Sequence, residues 1–231
     1  EYDVEAMRRR TVAMLDAAWT AGIRYVDAAR SYGRAEEFLA SWLRTRAPRE
    51  RPVVGSKWGY EYTGGWRVDA DVHEVKAHSA EMFTRQWAES RALLGADLAL
   101  YQVHSVTPDS GALDDDTLLD ALAGVRDAGT AVGVTVSGPQ QAQALERALE
   151  VERDGVPLFA TVQATWNVLE PSAGAVLAAA HRDGRGVIVK EAVANGRLTA
   201  RTPDAAVHAV AAAIADRAGV TIDAVALAAV L

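Results

Sequence analysis

Leu98-Ala99-Leu100-Tyr101-Gln102-Val103-His104 is an apolar run of strand length that ends on an ionisable side chain. Thr117 to Asp127 follows with apolar residues at helical spacing, and then a second apolar run, Ala131-Val132-Gly133-Val134-Thr135-Val136. Strand, helix, strand in that order reads as a right-handed βαβ crossover, which makes the two strands parallel neighbours. The same alternation extends outward in both directions. Upstream lie strands at Pro52 to Lys57 and Ile23 to Ala28; downstream lie strands at Phe159 to Gln163 and Val187 to Lys190. Helical patterns occupy residues 4–21 (closed by Gly22) and about Ala35 to Thr45, Val72 to Leu94, Gln140 to Glu152 and Ala173 to Arg182. Two more, about 203–218 and 221–231, end the chain, and residues 58–70 read as a polar and aromatic loop.

Six strands that are apolar on both faces predict an α/β fold with a parallel sheet covered by helices. A doubly wound sheet is the alternative architecture. It usually carries a Gly-rich phosphate loop after the first strand, and none is found here; Gly64-Gly65 follows no strand directly. The expected fold is therefore a (β/α)8 TIM barrel in one domain, 1–231. A complete barrel needs about 250 residues, so the first and last strands are expected to lie outside the 231 given. The chain opens inside a helical pattern and stops on the apolar face of Val225 to Leu231, which points the same way.

Composition narrows the function. Half of the residues are hydrophobic and the net charge is −7, which argues against nucleic acid or an anionic membrane as the main partner. There is no cysteine, which excludes thiolate metal sites and disulfides and fits a reducing, cytoplasmic compartment. Of the 24 basic residues only Lys57, Lys76 and Lys190 are lysine, and two of those end a strand. An arginine-rich chain has kept lysine where a compact cation with a shiftable pKa differs from a guanidinium fork.

The carboxyl ends of parallel strands share one face, so Asp27, Tyr32, Lys57 and His104 are expected to converge there. An ammonium beside a phenol favours the phenolate, and a carboxylate holds that ammonium charged. A histidine opposite can donate to a substrate oxygen. Trp58, next to Lys57, is the best candidate for a substrate pocket wall, with Trp66 and Trp166 as further candidates. His73, His78, His181 and His208 read as solvated residues of outer helices without metal-ligand company. Asp114-Asp115-Asp116 reads as helix capping rather than a cation site, and no metal is expected.

In order along the chain, Gly22-Ile23-Arg24-Tyr25-Val26-Asp27-Ala28-Ala29 with Tyr32-Gly33 and Glu36, Ser56-Lys57, Tyr101-Gln102-Val103-His104, Val162-Gln163, Asn167-Val168-Leu169-Glu170-Pro171 and Asn195-Gly196-Arg197-Leu198-Thr199 resemble the aldo-keto reductase family. The resemblance implies a (β/α)8 barrel and NADPH-dependent reduction of an aldehyde or ketone to an alcohol. It makes Tyr32 the general acid, with Lys57 and Asp27 tuning it and His104 orienting the carbonyl. It also places Gln163 on the nicotinamide carboxamide and Asn195 among the cofactor contacts. The family's usual Ser-Asn reads Thr135-Val136 here, leaving Thr135 and Ser137 as hydroxyl contacts. Lys190 stands where relatives place a ring that stacks on nicotinamide, so it or Arg197 is expected to reach toward the cofactor phosphates. The segment that distinguishes NADP from NAD in relatives lies past residue 231. Two other functions fit the same residues: a cofactor-binding regulator on the same barrel, and a Schiff-base aldolase using Lys57 or Lys190.

Overall fold

The computed structural model describes residues 3–65, 67, 69–201 and 205–231. Each apolar run forms a strand: β1 Tyr25–Asp27, β2 Val53–Trp58, β3 Leu98–Val106, β4 Ala131–Val136, β5 Thr161–Thr165 and β6 Gly186–Lys190. The helices are α1 Val4–Thr20, α2 Ala35–Leu43, α3 Ala80–Leu94, α4 Asp116–Asp127, α5 Gln141–Leu149, α6 Gly174–Arg182, α7 Ala205–Ala218 and α8 Ile222–Ala228. The six strands hydrogen-bond in strict sequence order and all run parallel. Sequential order removes the doubly wound alternative, whose chain must reverse direction from a central strand.

The sheet curls. Asp27 on β1 accepts a hydrogen bond from Gln102 on β3 and another from Gln163 on β5, which a flat sheet would keep several strand spacings away. Two strand glycines make room inside the curl. A methyl on Gly55 would overlap the Tyr25 hydroxyl, and one on Gly133 would overlap the Thr161 hydroxyl. Among the described residues β1 and β6 are not paired with each other, so the six strands form an open, barrel-like arc. An apolar cavity of about 940 Å³, lined by Tyr25, Trp166, Leu177, Ile188, Leu227 and Leu231 among others, borders both edge strands.

The outer face of the arc carries the core. Leu118, Leu122, Leu145, Leu158, Phe159 and Trp42 are fully or almost fully buried between strands and helices. Loss of one such leucine to alanine costs about 2–5 kcal/mol. Helix starts follow local chemistry. Ser79 accepts from Met82 N to cap α3, and Asp115 accepts from Leu118 N to cap α4. Asp114 and Asp116 pair with Arg147 and Arg153.

The structure corrects three boundaries. The helix expected from Val72 begins only at Ala80, because Glu74–Lys76 pairs antiparallel with Tyr60–Tyr62 as a hairpin. The strand expected at Phe159 to Gln163 is Thr161–Thr165: Phe159 turns into the core, and the chain enters the sheet two residues later. The helix expected to run to Glu152 stops at Leu149, because Glu152–Arg153 folds back on Val156–Pro157. Among the described residues no helix is long and apolar enough to cross a membrane.

Candidate active site

Side chains of a strand alternate, and in-register residues of parallel neighbours share a face. Asp27 pairs with Gly55, Lys57 with Gln102, Gln102 with Gly133, Thr135 with Gln163, and Gln163 with Ile188. This chain of registers puts Asp27, Lys57, Gln102, Thr135 and Gln163 on the inner face of the arc. Lys190, two residues beyond Ile188, joins them. All lie toward the carboxyl ends of their strands.

Asp27 is the hub. Its Oδ2 accepts from Lys57 Nζ at 2.6 Å and from Gln163 Nε2 at 2.9 Å, while Oδ1 accepts from Gln102 Nε2 at 3.0 Å. Lys57 is 3% exposed and also donates to the Ala28 carbonyl at 2.8 Å. Burial pulls the Lys57 pKa down, and Asp27 opposes that shift. Tyr32 stands over this pair on the loop after β1, with Lys57 Nζ 5.0 Å from the centre of its ring. The Tyr32 hydroxyl forms no hydrogen bond among the described residues, and the residue is 49% exposed. Lys57 thus meets the ring face rather than the oxygen. Desolvation, followed by the negative charges of Asp27 and Glu74, raises the Tyr32 pKa instead of lowering it.

His104 closes the group from β3. Its ring meets Tyr32 edge-on at 5.6 Å and Tyr60 at 5.0 Å. Burial, reinforced by Lys57, Lys190, His78 and Lys76, pushes its pKa down to about 3, so the ring is neutral near pH 7. Below it His78 Nε2 donates to the His104 carbonyl at 2.8 Å, and burial lowers the His78 pKa to about 4. The residue after His104, Ser105, has a left-handed backbone (φ 58°), and its N–H donates to Thr135 Oγ1 at 2.7 Å. Thr135 is wholly buried. It therefore steadies the His104–Ser105 turn from beneath, and direct contact with a cofactor is not open to it.

Behind β2 a second buried carboxylate fixes the Tyr32 loop. Glu36 accepts from Ser56 at 2.6 Å, Ser90 at 2.7 Å and Arg30 at 2.5 Å, and Arg30 also reaches Glu89. The Arg30 N–H donates to the Lys57 carbonyl at 2.9 Å, which ties the loop to β2.

Other expected residues fall differently. Trp58 follows an inward lysine and so faces outward. It is completely buried against Phe83 and His78, which makes it core rather than pocket wall. Trp66 lies outside the described residues, and Trp166 lines the apolar cavity at the sheet edge. Ser137 is half-buried at the end of β4, while Asn195 and Arg197 are exposed on the turn after β6. Asn167 spends both ends of its amide on its own loop and on the Glu191 carbonyl. The Lys190 ammonium makes no ion pair or hydrogen bond among the described residues, and burial pulls its pKa down.

Gln102, Tyr60, Lys76 and His78 join the site without having been expected there. Gln102 was accessible from spacing, since it sits two residues before His104 on the same strand face. His78 was misread as solvated because the hairpin that folds Lys76 onto the Ser105 carbonyl (2.8 Å) carries no turn signal short enough to reveal it.

Comparison with known proteins shows the family and the fold. The model of the aldo/keto reductase family matches residues 5–230. The chain is 31% identical over 209 residues to a D-threo-aldose 1-dehydrogenase of a Pseudomonas species, covering 83% of this chain and 62% of that protein. It is 30% identical over 115 residues to a pyridoxal 4-dehydrogenase of Microbacterium luteolum, covering 41% and 33%. The chain thus spans less than two thirds of either relative. Among solved structures, an aldo-keto reductase from Pseudomonas aeruginosa superposes with a TM-score of 0.67 at 26% identity, over 97% of this chain and 84% of that one. An aldo-keto reductase from Klebsiella pneumoniae in complex with NADPH superposes with a TM-score of 0.66 at 23% identity, over 94% and 69%.

Proposed function

The chain belongs to the aldo/keto reductase family, and we propose that it reduces an aldehyde or ketone to an alcohol with hydride from NADPH. The observation that carries this reading is the saturated Asp27–Lys57 pair seated beneath a phenol whose hydroxyl is free and beside a neutral imidazole. Relatives named as dehydrogenases support hydride transfer as the reaction class.

The donor set fits a nicotinamide cofactor. Gln163 gives its N–H to Asp27 and keeps its carbonyl oxygen for a carboxamide. Ser137, Asn195 and Arg197, at the ends of β4 and β6, would hold the remainder. When bound, NADPH supplies the hydride that the carbonyl carbon receives. A carbonyl oxygen taken between Tyr32 and His104 meets two neutral donors. Tyr32 keeps its proton until negative charge develops on that oxygen and then gives it up. His104, with Nε2 protonated, orients the carbonyl without competing as an acid. Lys57, held charged by Asp27 and the Ala28 carbonyl, stabilises the phenolate that remains. The same clamp works against Lys57 as a Schiff-base amine, which must be neutral to attack.

The test is turnover. The protein, NADPH and a panel of aldehydes should give cofactor oxidation matched by alcohol formation. NADPH binding without alcohol from any aldehyde or ketone would favour a cofactor-binding regulator instead.

A further inference from the structure

We infer that the carbonyl compound taken at this site carries its own anionic group, a carboxylate or phosphate, held by Lys76 and Lys190. The inference rests on the proposed carbonyl chemistry and adds the substrate class to it.

All three lysines of the chain surround His104. Lys57 is neutralised by Asp27 at 2.6 Å. The other two are not neutralised. Lys76 gives one hydrogen bond to the Ser105 carbonyl, stands 5.5 Å from the centre of the Tyr60 ring, and keeps the rest of its ammonium for solvent or ligand. Lys190 points into the arc from the end of β6, half-buried, and its ammonium makes no hydrogen bond among the described residues. The nearby carboxylates are Glu191, which accepts from Thr165, along with Asp109 and Glu74. None forms an ion pair with Lys76 or Lys190 among the described residues.

Three consequences follow. The half-buried Lys190 ammonium has only the exposed Glu191 to offset its charge, so a bound anion would relieve its desolvation, and the exposed Lys76 adds a second cation beside His104. The lysine charges that act on the His104 ring (Lys57, Lys190 and Lys76) disfavour its protonated form, so the His104 side of the carbonyl site is positive, facing a Tyr32 side that feels Asp27 and Glu74. The chain as a whole is at −7, and a positive mouth in an acidic protein concentrates anions at that one place. Lys76 rests on the residue next to His104, which favours an anion on the substrate over the cofactor phosphates.

The experiment compares 4-carboxybenzaldehyde with 4-methylbenzaldehyde, an uncharged aldehyde of similar shape. The wild type should prefer the acid in kcat/KM by about tenfold or more, the scale of one charged hydrogen bond. Lys76→Met and Lys190→Met should each lower that preference several-fold, chiefly through KM for the acid, with the NADPH dissociation constant unchanged in fluorescence titration. Equal kcat/KM for the two aldehydes would overturn the inference. So would variants that weaken NADPH binding and slow both aldehydes alike, which would assign the lysines to the cofactor. A borohydride-trapped adduct on Lys190 would also overturn it. If neither aldehyde turns over, the proposed reaction fails and binding decides the substrate class. Calorimetric titration with terephthalate, an unreactive dianion, should then still show salt-sensitive binding that Lys190→Met removes, and its absence would overturn the inference.

Discussion

Ser56 and Lys57 are neighbours on β2, and each leads to a buried carboxylate, yet the two sides of the strand are built to different ends. On the outer side Glu36 is closed in by Ser56, Ser90 and the Arg30 guanidinium, and Arg30 goes on to Glu89. Nothing there is left to react. On the inner side Asp27 is just as fully bonded, by Lys57, Gln102 and Gln163, but the groups above it are not. The Tyr32 hydroxyl and the Lys190 ammonium face the mouth of the arc without partners among the described residues. An arginine fork serves the closed side and a compact lysine the open one, as their chemistry suggests. A fully bonded carboxylate below and unspent donors above are how a rigid base presents a reactive edge.

Substitutions can break the comparison on either side. The largest effect is expected on the open side. Lys57→Met keeps the length of the side chain and removes the charge that stabilises the phenolate. Carbonyl reduction should fall by about 10²–10⁴-fold, the range of an acid–base group, as read from steady-state kcat. On the closed side Glu36→Ala takes the acceptor from two buried serine hydroxyls and leaves Arg30 with Glu89 alone. It should cost about 3–5 kcal/mol in denaturant unfolding, with turnover per folded molecule far less affected than by Lys57→Met. If Glu36→Ala instead stops turnover in a fully folded protein, the division between the two sides is wrong.

Acid supplies a smaller and reversible perturbation. His104 and His78 are held neutral when folded, with pKa values pushed down to about 3 and about 4, against about 6.5 in the unfolded chain. The unfolded state therefore binds more protons below pH 6.5, and stability is lost as pH falls toward those lower values. Between pH 7 and pH 5 the loss should be up to about 2 kcal/mol per histidine, read from the unfolding midpoint in urea at each pH. Over the same range kcat/KM of the folded protein should show no titration near pH 6.5. A limb there would mean that His104 charges in the folded state and would contradict its neutral role.

The sequence revealed the inner side better than the outer. Asp27, Lys57 and His104 each end an apolar strand, so alternation and the shared face of parallel strands were enough to bring them together. Alternation should equally have sent Trp58 to the opposite face, since it directly follows an inward lysine; adjacency in sequence misled there. The Glu36 network was invisible because Arg30, Ser56, Ser90 and Glu89 come from three elements whose contacts depend on how α2 and α3 dock. Lys76 and His78 were lost for a similar reason. A hairpin with a long connecting loop leaves no local turn signature, and the valine-containing stretch at 72–76 imitates the start of the helix that begins at Ala80. The orientation of the Tyr32 phenol depends on the Arg30 loop, and no spacing rule reports whether Lys57 meets its oxygen or its ring.

Tyr32→Phe tests the central claim most directly, because it removes one oxygen from a half-exposed ring and leaves the Asp27–Lys57 base intact. NADPH-dependent alcohol formation should fall by about 10²–10⁴-fold while NADPH affinity and unfolding midpoint stay at wild-type values. Alcohol formation at the wild-type rate in that variant would show that the proton comes from elsewhere and would contradict the account.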